Sequence, residues 1–599
     1  MTRGKWVSPE LPLPRRWAAE VTFVPQVAAL LCLTIAWSFG LPETDPAIRP
    51  VVCLNGEWRF QPADPELTFP PSGQWDPTPI RIPSPWNVNG FSKGDGGDFR
   101  CFPSYPEDWE KVRCAWHRRG FYVPADWQGK RVFLRFEAVH YWADVYVNGV
   151  KCGSHEGGFT PFEVDVTDAV RFDADNELVV GVRDRRLFDV NGRTPYGWGS
   201  FWGEWILGIW QDVYLLARPP LYVTNPFVRT ILEGRRLRIE AEVVNASQIA
   251  ARVRLETVVY PWAGGRWRQA RPALRLKPVE IQVPPGRSRV ATMEASWPDV
   301  KLWWPHDPQL YVAALRVLPP TGGDSFLDEL PVRFGFREFR IGPDGRKFTL
   351  NGRTWTGRGD AWHFMGIPQM TPDFARAWYS MAQGININII RLHAQVYPEY
   401  YLDVADEMGM LIVDESALWG SAGNFYYDEG FRRRAIEHVR ELVLRDRNHP
   451  SVVLWSVGNE VAWMPPASAG VKTQDEIFRL FADLAAEMKR LDPTREVSCD
   501  GDGDLGGRLP IFSLHYPGPN PPNVKNKVFT IGESGQMFYS EPRLCAYRLG
   551  DRVYLSNNDR LEAVGLEMAD LIEGYRRWAA YATVFNIQWY GLQPLPMEC

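Results

Sequence analysis

From about residue 350 onward the chain alternates short apolar runs with amphipathic helical patterns, and that alternation restricts the fold more than any other feature. "TWTGRGDAWH" opens the series. "INIIRLH", "MLIVDES", "VVLWSVGNE", "EVSCDGD", "IFSLHYP", "VFTIGESG" and "ATVFNIQWYG" follow, with helical stretches such as "PEYYLDVADEMG" and "FRRRAIEHVRELVLRDRN" among them. Strands joined through helices run parallel, because a tight hairpin cannot link parallel neighbours. Buried on both faces, such strands read as near-continuous apolar runs. Eight units of this kind close into a (β/α)8 barrel, and residues 338–599 suit its usual length of about 250 residues. Only about ten residues follow the eighth strand, too few for a covering helix of the usual ~10–14 residues. A truncated or degenerate closing helix is therefore expected.

Upstream the periodicity is that of strands. Between residues 51 and 220, "RVFLRFEAV", "YWADVYVNG" and "NELVVGVRD" are bounded by Asn-Gly, Gly or Asp, and no segment sustains a helical period. Asn148-Gly149 marks a hairpin. An all-β sandwich is expected there. Residues 221–337 repeat the pattern at the spacing of an immunoglobulin-like sandwich.

The first fifty residues differ. Arg3, Lys5, Arg15 and Arg16 precede an apolar run from Val24 to Phe39. That run is shorter than the roughly 20 residues of a membrane-spanning helix, and a basic start with a short apolar core resembles an export signal. Export to the periplasm or exterior is expected, with an uncleaved membrane anchor as the rival. Of eight cysteines, Cys101 and Cys114 are close enough to close a loop, but spacing alone does not assign a pair. A formal net charge of −5 without a long basic run excludes a nucleic-acid surface. Tryptophan is abundant at 27 residues. Flat rings suit sugar faces, yet large β-rich cores consume them too, and Trp455 and Trp463 are expected to be packing residues.

In an α/β barrel the reacting side chains sit at the carboxyl ends of the strands. Nearly every expected strand end here is polar: Asp360 and His363, Arg391 and His393, Asp414 and Glu415, Asn459 and Glu460, His515 and Tyr516, Glu533, and finally Trp589. Glu460 and Glu533 fall on strands four and seven, across one mouth. Two carboxyls about 5 Å apart are what double-displacement glycoside hydrolysis needs. Arg391 can pair with the ionised one, Tyr516 can donate a hydrogen bond to it, and Asn459 can bind the sugar 2-hydroxyl. Each residue alone has a plainer reading, as a helix-start carboxylate, a salt-bridge member or a hydrogen-bonded histidine. Their concurrence at one end is what describes an active-site mouth.

"RDRNHPSVVLWSVGNE" (Arg445 to Glu460) closely resembles the acid/base segment of glycoside hydrolase family two, the β-galactosidase, β-glucuronidase and β-mannosidase group. "VYVNGVKCGSHEGGFTPFEVDVT" and "GIWQDVYL" resemble that family's N-terminal sugar-binding jelly roll, and "RFGFREFRI" with "FTLNGR" its passage into the barrel. The resemblance implies a jelly roll, an immunoglobulin-like sandwich and a catalytic barrel, and exo-acting retaining hydrolysis of a β-linked glycoside. It implies Glu460 as acid/base, Glu533 (in "IGESG") as nucleophile, and Asn459 and Arg391 at matching positions. The family's Arg-x-Ser-His-Tyr-Pro stands here as "RLHAQVYP", and its Gly-x-Asn-x-His as "GRGDAWH". Both shape the pocket floor, so the departures bear on which sugar is bound. With no Asn-x-Lys-Gly after the nucleophile and Val457 where mannosidases carry Asn, a galactoside-like substrate is expected. His393, His515, Tyr516, Trp589, Asp360, His363 and Glu415 complete the expected substrate contacts. No cofactor is required, although Glu415 and Glu460 are hard oxygen donors suited to Mg²⁺. The partner is a carbohydrate, and a homo-oligomer is compatible with the sequence. A non-catalytic carbohydrate-binding protein on a glycosidase scaffold is the competing reading.

Overall fold

The computed structural model describes residues 44–585 apart from 68–72, 74, 88–104, 191–192, 194–205, 265, 321–324, 363–370, 421–424, 464 and 536–540. The export segment, Cys101, His363 and Trp589 lie outside the described residues, as does the chain after the eighth strand. No described helix is long and apolar enough to cross a membrane.

Antiparallel ladders build the described strands between residues 51 and 218 into a four-stranded and a six-stranded sheet. Their inward faces share one core that includes Trp58, Phe60, Trp86, Leu134, Val180 and Leu215. A second sandwich follows, its sheets meeting over Ile239, Leu255, Ala313 and Val332. Alternation produces both: strand Arg236–Asn245 buries every second residue, as a half-covered strand must. Cys114 is a buried free thiol. Burial pushes that thiol up to about 12.

A three-stranded antiparallel sheet, Phe339–Trp355, leads into the parallel barrel. Its strands are β1 (Gly357–Trp362), β2 (Ile389–Leu392), β3 (Leu411–Glu415), β4 (Val452–Asn459), β5 (Glu496–Asp500), β6 (Ile511–His515), β7 (Val528–Glu533) and β8 (Tyr581–Val584). Every residue of β2, β3 and β4 is buried, which is why these strands read as unbroken apolar runs. The helices start where the chain offers caps. Thr371 accepts from the Phe374 amide at α1 (Pro372–Gly384), and Asp428 from the Phe431 amide at α3 (Glu429–Asp446). Between them, α2 (Glu399–Met408) stops at Gly409, which has φ 75°. There a Cβ would lie 2.1 Å from the Pro305 carbonyl oxygen. α4 (Gln474–Leu491) precedes β5, while α5 (Pro542–Leu549) and α6 (Asn557–Arg576) lie between β7 and β8.

The units are not all alike. Turns, not an α-helix, join β5 to β6. The ladder runs 5-4-3-2-1-8-7-6 and leaves β5 and β6 as its two ends. An isolated bridge between Gly503 and Ser513, and Ser513 Oγ donating to Asp500 Oδ1 at 2.6 Å, span that seam.

Candidate active site

Seven strands or their immediate ends bring a polar residue toward the carboxyl side of the sheet, and Arg391 on β2 organises them. Its guanidinium is fully buried. Nε and Nη2 donate to Glu415 Oε2 and Oε1 at 3.1 and 3.0 Å. Nη1 donates to the Gly532 carbonyl at 3.1 Å and to Glu533 Oε1 at 3.2 Å. Nη2 also reaches Asn459 Oδ1. Asp500 Oδ2 is 3.6 Å from Nε. Burial works against this charge, but Glu415, Asp500 and Glu533 outweigh it and hold the arginine well above its ordinary pKa.

Glu533, at the end of β7, is 6% exposed. It accepts from Arg391 and lies 3.1 Å from His393 Nε2. Burial first, then the charges of Arg391 and His515, keep His393 well below the ordinary histidine value. The charged form of the ring is thus disfavoured where Nε2 faces Glu533. Glu460 follows β4 directly, 20% exposed, with φ 48° in the left-handed region that favours glycine. Its amide donates to the Asp500 carbonyl at 2.8 Å. Asp502, just beyond β5, accepts from the next two amides, Val461 at 2.7 Å and Ala462 at 3.2 Å. Burial pushes the Asp502 carboxyl up to about 6. Gly420 abuts the same turn, where a Cβ would come within 2.4 Å of the Glu460 carbonyl. Backbone strain is therefore held by fixed neighbours, a pattern that collects at functional sites.

His515, ending β6, lies between the two carboxylates. Nδ1 is 2.8 Å from Glu460 Oε1 and 3.6 Å from Glu533 Oε1. One side-chain atom each from Glu460, His515 and Glu533 all fall within 4.8 Å of one another.

The structure thus brings Arg391, His393, Asn459, Glu460, His515 and Glu533 together. Tyr516 follows, half in solvent, its amide donating to the Glu533 carbonyl at 2.9 Å. Asp360 is fully buried on β1. Glu415 sits behind Arg391, fully buried, its oxygens taken by Arg391, Ser456 Oγ at 2.6 Å and the Ala394 amide at 2.6 Å. That placement makes it a support for Arg391 instead of the expected substrate contact. A Mg²⁺ ion drawing on Glu415 would have to break that pair. Trp455 is packing as expected, but Trp463 is 71% exposed and is not. Sequence reasoning missed Asp500 and Asp502, because an Asp-Gly alternation reads as a turn.

An α/β barrel with two carboxylates this close at its carboxyl end, behind two β-sandwiches, defines the glycosyl hydrolase class. Residues 51–219 match the family description "Glycosyl hydrolases family 2, sugar binding domain". Residues 221–337 match "Glycosyl hydrolases family 2", and residues 345–525 its "TIM barrel domain". The chain belongs to glycosyl hydrolase family 2. It is 25% identical over 490 residues to a β-glucuronidase of Paenibacillus borealis, covering 76% of this chain and 73% of that one. To a β-galactosidase of Thermoanaerobacter pseudethanolicus it is 26% identical over 430 residues, 68% of this chain and 51% of that one. Bacteroides uniformis β-glucuronidase superposes with a TM-score of 0.71 at 22% identity, over 90% of this chain and 65% of that one. A β-galacturonidase of Eisenbergiella tayi gives 0.68 at 19% identity, over 92% and 93%.

Proposed function

We propose that the chain is a retaining, exo-acting β-glycoside hydrolase that works by double displacement on a galactoside-like sugar. One observation carries this: Glu460 and Glu533 each place a carboxylate oxygen within 4.8 Å of the other. That spacing suits a covalent intermediate, since retaining pairs stand about 5–5.5 Å apart and inverting pairs about 6.5–9.5 Å. Glu533 attacks the anomeric carbon, its oxygen aimed by an N–H donor from Arg391 beside His393 Nε2. Glu460, the more exposed of the two, protonates the departing oxygen and then takes a proton from water. Asn459 Nδ2 is buried without a hydrogen-bond partner among the described residues, a donor free for the sugar 2-hydroxyl.

A neutral sugar is favoured over a uronate by charge. Arg391 is the one guanidinium at the described strand ends, and its donors are committed to Glu415, Glu533, Asn459 and a backbone carbonyl. Export rests on the basic start and the apolar run before residue 40, and N-terminal sequencing of secreted protein tests it.

A 2-fluoro glycoside should leave its mass on the Glu533 peptide, and Glu533→Gln should abolish turnover. Glu460→Ala should keep slow cleavage of aryl substrates with good leaving groups, while alkyl glycosides lose the full general-acid contribution of about 10²–10⁴. Sugar binding without turnover or labelling would instead establish the non-catalytic reading. Aryl β-galactoside, β-glucuronide, β-mannoside and β-glucoside, compared side by side, decide the sugar.

A further inference from the structure

We infer that Trp463 is the platform of the aglycone site, an exposed indole that stacks on a flat ring of the leaving group while Glu460 protonates the glycosidic oxygen. This deepens the glycosidase reading and rests on it. Position is the first support. The Trp463 amide donates to the Glu460 carbonyl at 3.2 Å, so the two residues close one turn just beyond β4. The general acid of a retaining cleavage stands at the leaving-group oxygen. Glu460 is 20% exposed against 6% for Glu533, so the acid's side is also the open side. A side chain carried on the acid's own turn is therefore within reach of the aglycone, while Glu533 and Arg391 serve the sugar that stays.

Exposure is the second support. Trp463 is 71% exposed, and no other tryptophan among the described residues is an exposed one. Its indole has no hydrogen-bond or ring partner among those residues. Left in water, that ring forgoes the stabilisation that burial gives an aromatic side chain. It offers instead a broad apolar face and one N–H donor.

Rigidity is the third. Asp502 accepts from the Val461 and Ala462 amides at 2.7 and 3.2 Å. The Tyr427 hydroxyl donates to the Val461 carbonyl at 2.6 Å. Val461 is buried in the core that also holds Tyr427 and Phe481, and a Cβ on Gly458 would lie 2.8 Å from its Cγ1. A ring on a turn held this firmly needs little ordering when a ligand arrives. The ligand that fits has a flat, weakly polar face, which an aromatic ring or the C–H face of a second sugar supplies.

The two chemical steps feel the indole differently. In the first, Glu533 bonds to the anomeric carbon and the aglycone departs with the proton of Glu460, held until then against Trp463. In the second the aglycone is gone: water attacks that carbon, gives its proton to Glu460 and frees Glu533 as a carboxylate. An alcohol bearing a flat ring can take water's place, its oxygen bonding to the anomeric carbon and its proton passing to Glu460.

The test compares wild type with Trp463→Ala on a phenyl β-glycoside, a β-linked disaccharide and the β-glycosyl fluoride of one sugar. Fluoride has no face to stack on, and kcat/KM reports the first step. The expected loss is about three- to tenfold greater for the phenyl glycoside, the disaccharide or both than for the fluoride, the range for one aromatic contact. Excess loss on the phenyl glycoside alone assigns an aromatic aglycone, and on the disaccharide alone a sugar. Trp463→Phe, which keeps a flat ring, should recover most of it. Equal loss on all three substrates, or none on any, overturns the proposal. The wild type serves if the alanine variant misfolds. Its 2-fluoro glycosyl-enzyme should be reactivated faster by benzyl alcohol than by ethanol at the same concentration, and equal rates overturn the proposal. A wild type that neither hydrolyses nor labels overturns the glycosidase reading and this one with it. Turnover indifferent to Trp463 overturns the aglycone site alone.

Discussion

Arg391 shows what one side chain settles. Its planar fork satisfies Glu415 with two bonds while aiming Glu533 and Asn459, so three strands are referred to one rigid group. A lysine would bring the same charge but a single point donor. Arg391→Lys should keep the fold, to be judged by circular dichroism, and lower kcat by about 10²–10³, the usual effect of losing a positioned donor. A slower rate of 2-fluoro glycoside labelling at Glu533 would place the loss in the first chemical step. Much of this was legible in one dimension, because Arg391, Glu460 and Glu533 each interrupt an apolar run where nothing but chemistry recommends a charge. The contact of His515 with both carboxylates was not. It depends on β6 standing beside β7 and on room left by Gly501 and Gly532, which no local pattern encodes.

Among the elements, the strands were the readable part. Their apolar runs came through because a parallel sheet buries both faces, and the caps Thr371 and Asp428 stand where the helical period begins. The gap in the ladder was hidden, since the turn between "EVSCDGD" and "IFSLHYP" looks like any other connection. At that seam one backbone bridge, Gly503 to Ser513, and the side-chain bond from Ser513 to Asp500 stand in for the continuous ladder. Ser513→Ala removes the hydroxyl that Asp500 accepts and should cost about 1–3 kcal/mol, the range for leaving a buried acceptor unsatisfied. Urea denaturation checks the figure. Faster amide exchange of 501–513 than of β3 or β4 would mark the seam as the site of opening.

At the scale of the molecule, ion pairs and hydrogen bonds join the sandwiches to the barrel. Arg333 of the second sandwich meets Asp403, Asp406 and Glu407 around α2. Arg337 donates to the carbonyls of Pro450, at 2.9 Å, and Val452 at the start of β4. From the first sandwich, His155 meets Glu441 on α3 at 2.9 Å. Sequence spacing revealed none of these, because the partners lie in different domains. His449 joins the network, its Nδ1 2.7 Å from Asp406 Oδ2. Burial opposes its charge, but Asp406, Glu399 and Asp403 hold it well above the ordinary 6.5. A raised histidine stabilises fully below its unfolded value and loses that contribution as pH climbs through the folded one. His449→Gln should therefore cost roughly 3 kcal/mol at neutral pH and below, as for a broken buried pair. The gap in Tm between variant and wild type should narrow on the alkaline side; a gap that is constant with pH would refute the charge.

Those same arginines set a limit on how the protein can be divided. Arg333 and Arg337 add charge to the acids of α2 and donors to carbonyls just before and at the start of β4, at the end of the barrel farthest from the chemistry. Cut loose at residue 338, the last part of the chain would lose the guanidinium that Asp403 pairs with and the donor to the Pro450 carbonyl. The hydrolytic half is therefore no portable module, and its lodgers upstream are part of its foundation.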